Sequence, residues 1–408
     1  MPLKPYLRRL EHCLALDARS TEALALLVPA YLLAVALLLT TVVVHYGFSL
    51  ADALNCASIH NCARLVPPAI VDLVSFFVER TFSLFDSDAA VRTEYATESW
   101  KNAKPVVGDF LIRLVLLSPL VPFVVAAARN VATAVFFLFA FVLISSGWGA
   151  LQPILMTDVL ALVRRDQFLP FWEFGRIQLL IPHDMYALAF LLVLALFLAG
   201  RQPTPLRAAA FAAFGQISYE HLGFITGVAA FFHILLTAPG TIRERVYPAL
   251  RVLVACGIAS VAVVALMGLI ILTRNIQDSH AASSTAFFAP DLFRFAKSNI
   301  TNYRYILFRG AYFLFFPAAF GLVSGLAAGF ISPLNDEWRR RYRTLAAALL
   351  AILAGYFGAL TIGFFTVITY SSEMARELYP FVILLFFLAF ALGAMGGSAG
   401  RRRTASPA

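Results

Sequence analysis

The sequence predicts an all-α polytopic membrane protein, a helical bundle of about ten transmembrane helices with outer-face loops that include a surface helix. Hydrophobic residues make up 61% of the 408-residue chain and charged residues only 13%, whereas a soluble domain is closer to half apolar and a quarter charged. Several apolar runs reach about 20 residues, the length that crosses roughly 30 Å of hydrocarbon. The basic residues also concentrate in alternate loops.

The apolar segments predict one transmembrane domain over residues 1–408. The stretch 206–236 is too long for one span and carries polar residues in its middle, so we divide it into two short spans that meet at 216–221. Residues 397–408 are small and basic, and we expect a disordered cytoplasmic tail there. The predicted spans are residues 23–45, 110–128, 131–148, 185–200, 206–218, 222–236, 250–272, 306–331, 345–370 and 379–396.

The positions of arginine and lysine predict the orientation, because cytoplasmic loops carry an excess of these residues. With both termini in the cytoplasm, every short inner loop is basic. The net charge of +9 then reflects topology, and we expect the lipid bilayer rather than nucleic acid as the partner of this chain. The inner basic residues are Lys4, Arg8, Arg9, Arg19, Arg129, Arg201, Arg207, Arg243, Arg245, Arg251, Arg339, Arg340, Arg341, Arg343, Arg401, Arg402 and Arg403.

The longest outer segment is predicted to be residues 49–109. Within it, residues 66–85 are apolar but interrupted by charges, which is typical of an amphipathic helix on the membrane surface. Cys56 and Cys62 lie six residues apart on the oxidising side, where they could close a small disulfide loop. With His60 they make a weak zinc signal, because a fourth ligand is missing. No cofactor is predicted, and a divalent metal is left open.

Ionisable groups at membrane depth are costly and usually functional. The first cluster is formed by Tyr219, Glu220 and His221, between the two short spans. A carboxylate and an imidazole at this tip could act as a general base, a metal ligand or a proton relay. Alternatively, the tip touches lipid headgroups. Arg113 and Arg309 enter their spans from the outer end, where long side chains can extend to the surface.

Two further clusters lie at the predicted outer face. His183 and Asp184 precede the span 185–200, and Arg176 lies shortly before them. Asp184 could instead simply favour the positive end of a helix dipole. Between the last two spans lie Glu373, Arg376 and Tyr379, and Arg376 could hold a phosphate through two hydrogen bonds. The alternative for this cluster is a surface ion pair. These polar groups form our candidate substrate-binding set.

Several of these features together resemble the polytopic glycosyltransferases of the GT-C type. The architecture of many spans with a long first outer loop resembles that family across most of the chain. The segment from Arg176 to Pro182 resembles an arginine–proline stretch before a middle span. The segment from Arg376 to Pro380 (RELYP) resembles the entry to a late span, and the pair Glu220–His221 resembles the polar tip of a middle hairpin.

The resemblance implies transfer of a sugar from a polyprenyl-phosphate donor to an envelope glycan or lipid acceptor, at the outer face of a bacterial cytoplasmic membrane. A carboxylate would deprotonate the acceptor hydroxyl, and cations would hold the departing phosphate. Glu220 or Asp52 would then be the base, with His221 beside it, and Arg176 and Arg376 the phosphate ligands. Asp52 is the acidic residue closest to the position after span 1 that the family uses, and here it stands alone.

Two other functions fit the same composition. A transporter or flippase of a lipid-linked or small polar substrate would need polar groups along a path through the bilayer and broken helices at mid-membrane. A non-enzymatic protein of envelope assembly would need neither. Motifs of soluble enzymes such as GxxxxGK[ST], GxGxxG and HExxH are missing from the sequence, so ATP hydrolysis by this chain is not expected.

Overall fold

The computed structural model is a bundle of α-helices. It describes residues 11, 13–39, 70, 73–74, 76–78, 80, 107–108, 110–145, 182–218, 221–273, 311–362 and 379–405. Within these residues no strand forms, and an isolated β-bridge joins Asp17 to Asn130. The helices are α1 Thr21–Leu39, α2 Phe110–Leu116, α3 Leu120–Ala127, α4 Val131–Ser145, α5 Pro182–Gly200, α6 Pro205–Ser218, α7 Leu222–Thr237, α8 Ile242–Thr273, α9 Ala311–Ile331, α10 Asp336–Ile362 and α11 Tyr379–Ala405.

Several of these helices are suited to a membrane. In the described part of the chain, α1, α8, α10 and α11 are long and apolar enough to cross a bilayer, and the bent pair α2–α3 makes a fifth candidate if it is one span. Shorter apolar helices occupy α4, α5, α7 and α9. The structure is therefore that of a helical, membrane-embedded protein, and the count of ten spans is not confirmed.

The predicted span 110–128 is not one straight helix. Its two halves, α2 and α3, meet at an angle of 48°. Pro119 lies at the break, where it lacks an N–H for the helical ladder and disfavours helical geometry in the residue before it. The carbonyl of Val115 accepts from both the N–H and the hydroxyl of Ser118, at 3.2 and 2.8 Å, in the turn between the two halves.

Side-chain caps set where several helices begin. Ser20 accepts from the backbone of Ala23 at 3.1 Å ahead of α1, and Asn335 accepts from that of Trp338 at 2.8 Å ahead of α10. At α8 the N–H of Thr241 donates to the carboxylate of Glu244 at 2.6 Å, as in a capping box. With these caps, α8 begins at Ile242, eight residues before the predicted span 250–272, and α10 begins at Asp336, nine residues before the predicted span 345–370.

Four segments that the arginine pattern assigns to one side of the membrane meet at one end of the bundle. Arg19 donates to the carbonyl of Ala126 at 3.4 Å and lies 4.9 Å from the ring centre of Trp338. Arg129 donates to the Ser332 hydroxyl at 2.7 Å and to the carbonyl of Pro333 at 3.2 Å. We call this region the basic end; it contains Arg19, Arg129, Arg339, Arg340, Arg341, Arg343 and Arg401.

The predicted tail also packs at the basic end. Helix α11 continues to Ala405, so residues 397–405 are helical where the sequence suggested disorder. The Ser398 hydroxyl accepts from the N–H of Leu334 at 2.9 Å. Arg401 donates to the carbonyls of Phe330 and Ile331 at 2.9 and 2.6 Å. These contacts cap the last turn of α9, and they give residues 397–405 a surface to fold against.

Helices α9 and α11 pack in parallel through glycine. A Cβ on Gly321, Gly325 or Gly329 would overlap the carbonyl oxygens of Phe386, Phe390 and Ala394 respectively. From α11, Gly393 and Gly397 approach the carbonyls of Leu322 and Leu326 in the same way. Small residues at every fourth position let two backbones come this close in lipid, where packing replaces the hydrophobic effect. We call this contact the glycine interface.

Phenylalanine fills the space between the glycine interface and α4. The rings of Phe137 and Phe390 meet edge to face with their centres 4.7 Å apart, and Phe123 meets Phe387 in the same way at 4.8 Å. Such pairs contribute beyond their buried area. Through these pairs α3 and α4 pack against α11, so the N-terminal and C-terminal helices share one core.

The predicted surface helix at 66–85 is described only in part. Residues 70, 73–74, 76–78 and 80 are helical, with Val74 and Val78 buried and with Leu73, Phe76 and Phe77 exposed. Buried residues four apart are the expected pattern for one packed face of a helix. Its position on a membrane surface stays a prediction.

The glycine interface yields a direct test. Gly325→Leu should lower the midpoint of thermal unfolding of the detergent-solubilised protein, at a cost of about 3 kcal/mol or more, because the side chain would collide with backbone that cannot move away. The matched control is Gly257→Leu, since a Cβ there meets nothing within 4 Å. Equal midpoints for both variants would show that α9 and α11 do not pack through this contact.

Candidate functional site

A series of contacts between polar and aromatic side chains joins five helices at the end of the bundle opposite the basic end. The Tyr186 hydroxyl of α5 lies 2.8 Å from the Ser218 hydroxyl of α6. Because Ser218 donates its own proton to the carbonyl of Phe214 at 2.7 Å, Tyr186 is the donor to Ser218. Just beyond Ser218, His221 is fully buried at the start of α7.

The contacts continue from His221 into the C-terminal helices. Its ring meets that of Tyr356 in α10 edge to face, with the centres 6.3 Å apart. Tyr356 in turn lies 6.1 Å from the ring centre of Phe381, near the start of α11. We call Tyr186, Ser218, His221 and Tyr356 the polar cluster. Fully buried polar groups in a lipid-embedded bundle are costly unless they have partners or a function.

The polar cluster lies far from the basic end. Along α10, Tyr356 is separated from Arg339 at the basic end by about 26 Å of helix at 1.5 Å per residue. Along α11, Phe381 is roughly 26 Å from Ser398, which contacts the basic end. A hydrocarbon core of about 30 Å would place the cluster just below the opposite interface.

A second polar layer lies beside the cluster, where α6, α7 and α8 meet. The amide oxygen of Gln216 and the hydroxyl of Ser260 both come against the Cα of Gly223, where a side chain would exclude them. Gln216 is buried, and the Ser260 hydroxyl is buried with no hydrogen-bond partner among the described residues. Thr226 donates to the carbonyl of Leu222 at 2.7 Å. A buried hydroxyl without a partner marks a place where a polar ligand or water would gain a hydrogen bond.

Of the predicted site residues, His221 is the one whose side chain the structure places. His183 and Asp184 fall in the first turn of α5, one turn or less from Tyr186, and Tyr379 is the first residue of α11. The starts of α5, α7 and α11, which border the three predicted clusters, therefore all lie at the polar cluster. The other predicted site residues lie outside the described residues: Glu220, Asp52, Arg176, Glu373, Arg376, Cys56 and Cys62.

The chemistry of the described part of the cluster is that of neutral donors and acceptors. It holds two phenols, a hydroxyl and an imidazole, which can orient a hydroxylated ligand and relay a proton. Among the described residues, no group of three His, Cys, Asp or Glu side chains could hold a metal ion. In the sequence, Glu220 directly precedes His221.

Sequence reasoning missed the neutral members of this site. Tyr186, Gln216, Ser218 and Tyr356 are polar residues inside apolar runs, and that placement was the available signal. For Arg113 the sequence left open an extension to the surface, and the structure has this residue fully buried within α2. The carbonyl of the next residue, Leu114, accepts from the hydroxyl of Tyr31 at 2.7 Å. Arg309 lies outside the described residues.

No protein-family model matches this chain, and neither the curated proteins nor the solved structures contain a match to it. The functional argument therefore rests on the residues and the geometry described above.

The hydrogen bond between Tyr186 and Ser218 can be tested through stability. Tyr186→Phe removes the donor but leaves Ser218 bonded to Phe214, so the loss should be about 1 kcal/mol of unfolding free energy. The control is Tyr247→Phe, at a residue 69% exposed. Thermal unfolding in detergent measures both variants. An unchanged midpoint for Tyr186→Phe would mean that the bond does not form.

Proposed function

We propose that this chain is a GT-C-like membrane glycosyltransferase, which moves a sugar from a polyprenyl-phosphate donor to an envelope glycan or lipid acceptor on the outer face of a bacterial cytoplasmic membrane. The observation that supports this proposal is the convergence of the starts of α5, α7 and α11 on one buried polar cluster. The segments that precede these helices carry the predicted catalytic and phosphate-binding residues, so those residues would lie near one location.

Chain length limits how far the charged residues can be from the cluster. Arg376 lies three residues before α11 and Arg176 six residues before α5. At a maximum of about 3.6 Å per residue, they reach no more than roughly 11 and 22 Å from those helix starts. Glu220 is bonded directly to His221. A carboxylate and two guanidinium groups can therefore meet around one substrate at this end of the bundle.

The proposed reaction follows from these groups. Glu220, or Asp52 in its place, accepts the proton of the acceptor hydroxyl as its oxygen attacks the anomeric carbon of the donor sugar. The bond between that carbon and the phosphate oxygen breaks, and its electron pair leaves with the lipid phosphate. Arg176 and Arg376 balance the charge that develops on this leaving group. Tyr186, His221 and Tyr356 orient the sugar hydroxyls.

Transport is the second candidate, and a specific observation favours it. The break between α2 and α3 and the short helices α6 and α7 are features of transporters with discontinuous helices. A transport path would also need polar groups through the bilayer. Along α7, however, the buried residues between Thr226 and His233 include Ala229 and Ala230, which offer no polar group for some 10 Å. We therefore prefer the transferase.

The proposal predicts that Glu220→Gln and Arg376→Ala each lower sugar transfer by at least about 100-fold, because the first removes the base and the second a phosphate ligand. The assay measures transfer of radiolabelled sugar from polyprenyl-phosphate donors in membranes that contain the full chain. Tyr247→Phe, at an exposed position, is the control and should keep full activity.

The amount of membrane-inserted protein must be equal in all variants, as measured by immunoblot after alkaline extraction. Wild-type transfer in both site variants would remove the basis of the site assignment. Uptake of the donor by proteoliposomes without any transfer would instead favour the transporter.

A further inference from the structure

Among the described residues, the basic end carries more arginines than carboxylates that form ion pairs with them. Arg339 lies 3.7 Å from Asp336, and Arg341 forms an ion pair with Glu337. Arg340 and Arg343 are exposed and form no ion pair with any described residue. They are three residues apart, so they lie on the same face of α10.

The position of these two arginines in α10 is electrostatically unfavourable, because like charges three residues apart on one helix face repel each other. Asp336 and Glu337 in the first turn are each already paired with another arginine. An anion outside the protein would remove the repulsion between Arg340 and Arg343.

The other arginines described at this end contact backbone carbonyls or a tryptophan ring. Arg129 and Arg401 donate to backbone carbonyls at the end of α9. Arg19 and Arg341 lie 4.9 and 5.1 Å from the ring centre of the same tryptophan, Trp338. Tryptophan between an apolar core and charged groups is typical of the level of the lipid headgroups.

Exposed apolar side chains adjoin Arg401 at the basic end. Phe330 and Ile331, whose carbonyls bind Arg401, are 55% and 74% exposed. Guanidinium groups next to exposed apolar surface match a ligand with an anionic head and hydrocarbon chains. A soluble anion would match only the first of these two features.

We propose that the basic end is a binding surface for anionic phospholipids, with Arg340 and Arg343 contacting the phosphate and with Phe330 and Ile331 against the acyl chains. Arginine suits this role because its planar guanidinium donates two parallel hydrogen bonds to a phosphate. The surface lies at the opposite end from the polar cluster, so this inference does not depend on the proposed transfer reaction.

The test uses the purified full chain in detergent, with dioleoyl phosphatidylglycerol or dioleoyl phosphatidylcholine added. Native mass spectrometry counts the bound lipid. The wild type should retain phosphatidylglycerol in preference to phosphatidylcholine. The double variant R340Q/R343Q should bind it roughly 25-fold more weakly, at about 5-fold for each arginine near a lipid surface. The matched control R340K/R343K keeps both charges and should keep most of the preference.

Two results would overturn the proposal: equal retention of the two lipids by the wild type, or an unchanged preference in R340Q/R343Q. Should the double variant not elute as a single species, a salt titration of the wild type replaces it. Bound phosphatidylglycerol should then fall as sodium chloride rises, because salt screens exposed charges. Retention that does not change between low and high salt would contradict a contact through exposed arginines.

Discussion

Hydrocarbon offers no hydrogen bonds, so each polar group inside this bundle must be satisfied by the protein or by a ligand. This constraint explains both ends of the molecule. At the basic end, Arg401 donates to an open carbonyl of α9 and Arg129 to the carbonyl of Pro333 just beyond it, and the Ser398 hydroxyl accepts from the N–H of Leu334. At the other end, Tyr186 and Ser218 satisfy one another. Between them the helices meet through glycine and phenylalanine, which carry no polar side-chain atoms.

The sequence predicts an all-helical chain because apolar runs of membrane length depend on local composition. Helices Pro205–Ser218 and Leu222–Thr237 lie where spans were expected at 206–218 and 222–236. A helix can also extend beyond its apolar run into charged residues, as the contact between Thr241 and Glu244 allows for α8. Glycine at every fourth position of α9 indicates a close helix contact in the sequence. That the partner is α11, and that it runs parallel to α9, depends on three-dimensional packing.

The site is less accessible to sequence reasoning. We singled out His221 because an ionisable residue between two apolar runs is expensive in lipid. Tyr356 was not singled out, because a phenol inside an apolar helix is a weaker signal, and its contact with His221 depends on helix packing. That the starts of α5, α7 and α11 adjoin one another depends on how the helices pack. No pattern along the chain records that arrangement.

The account depends most on the two ends lying on opposite sides of the membrane. Impermeant maleimide labelling of the full chain tests this directly, in a background where Cys13, Cys56, Cys62 and Cys256 are replaced. Asp336→Cys probes the basic end at an exposed position, and Ser372→Cys probes the segment before α11. We expect Ser372→Cys to react in intact cells and Asp336→Cys only after permeabilisation. Reaction of both positions from one side would contradict the account.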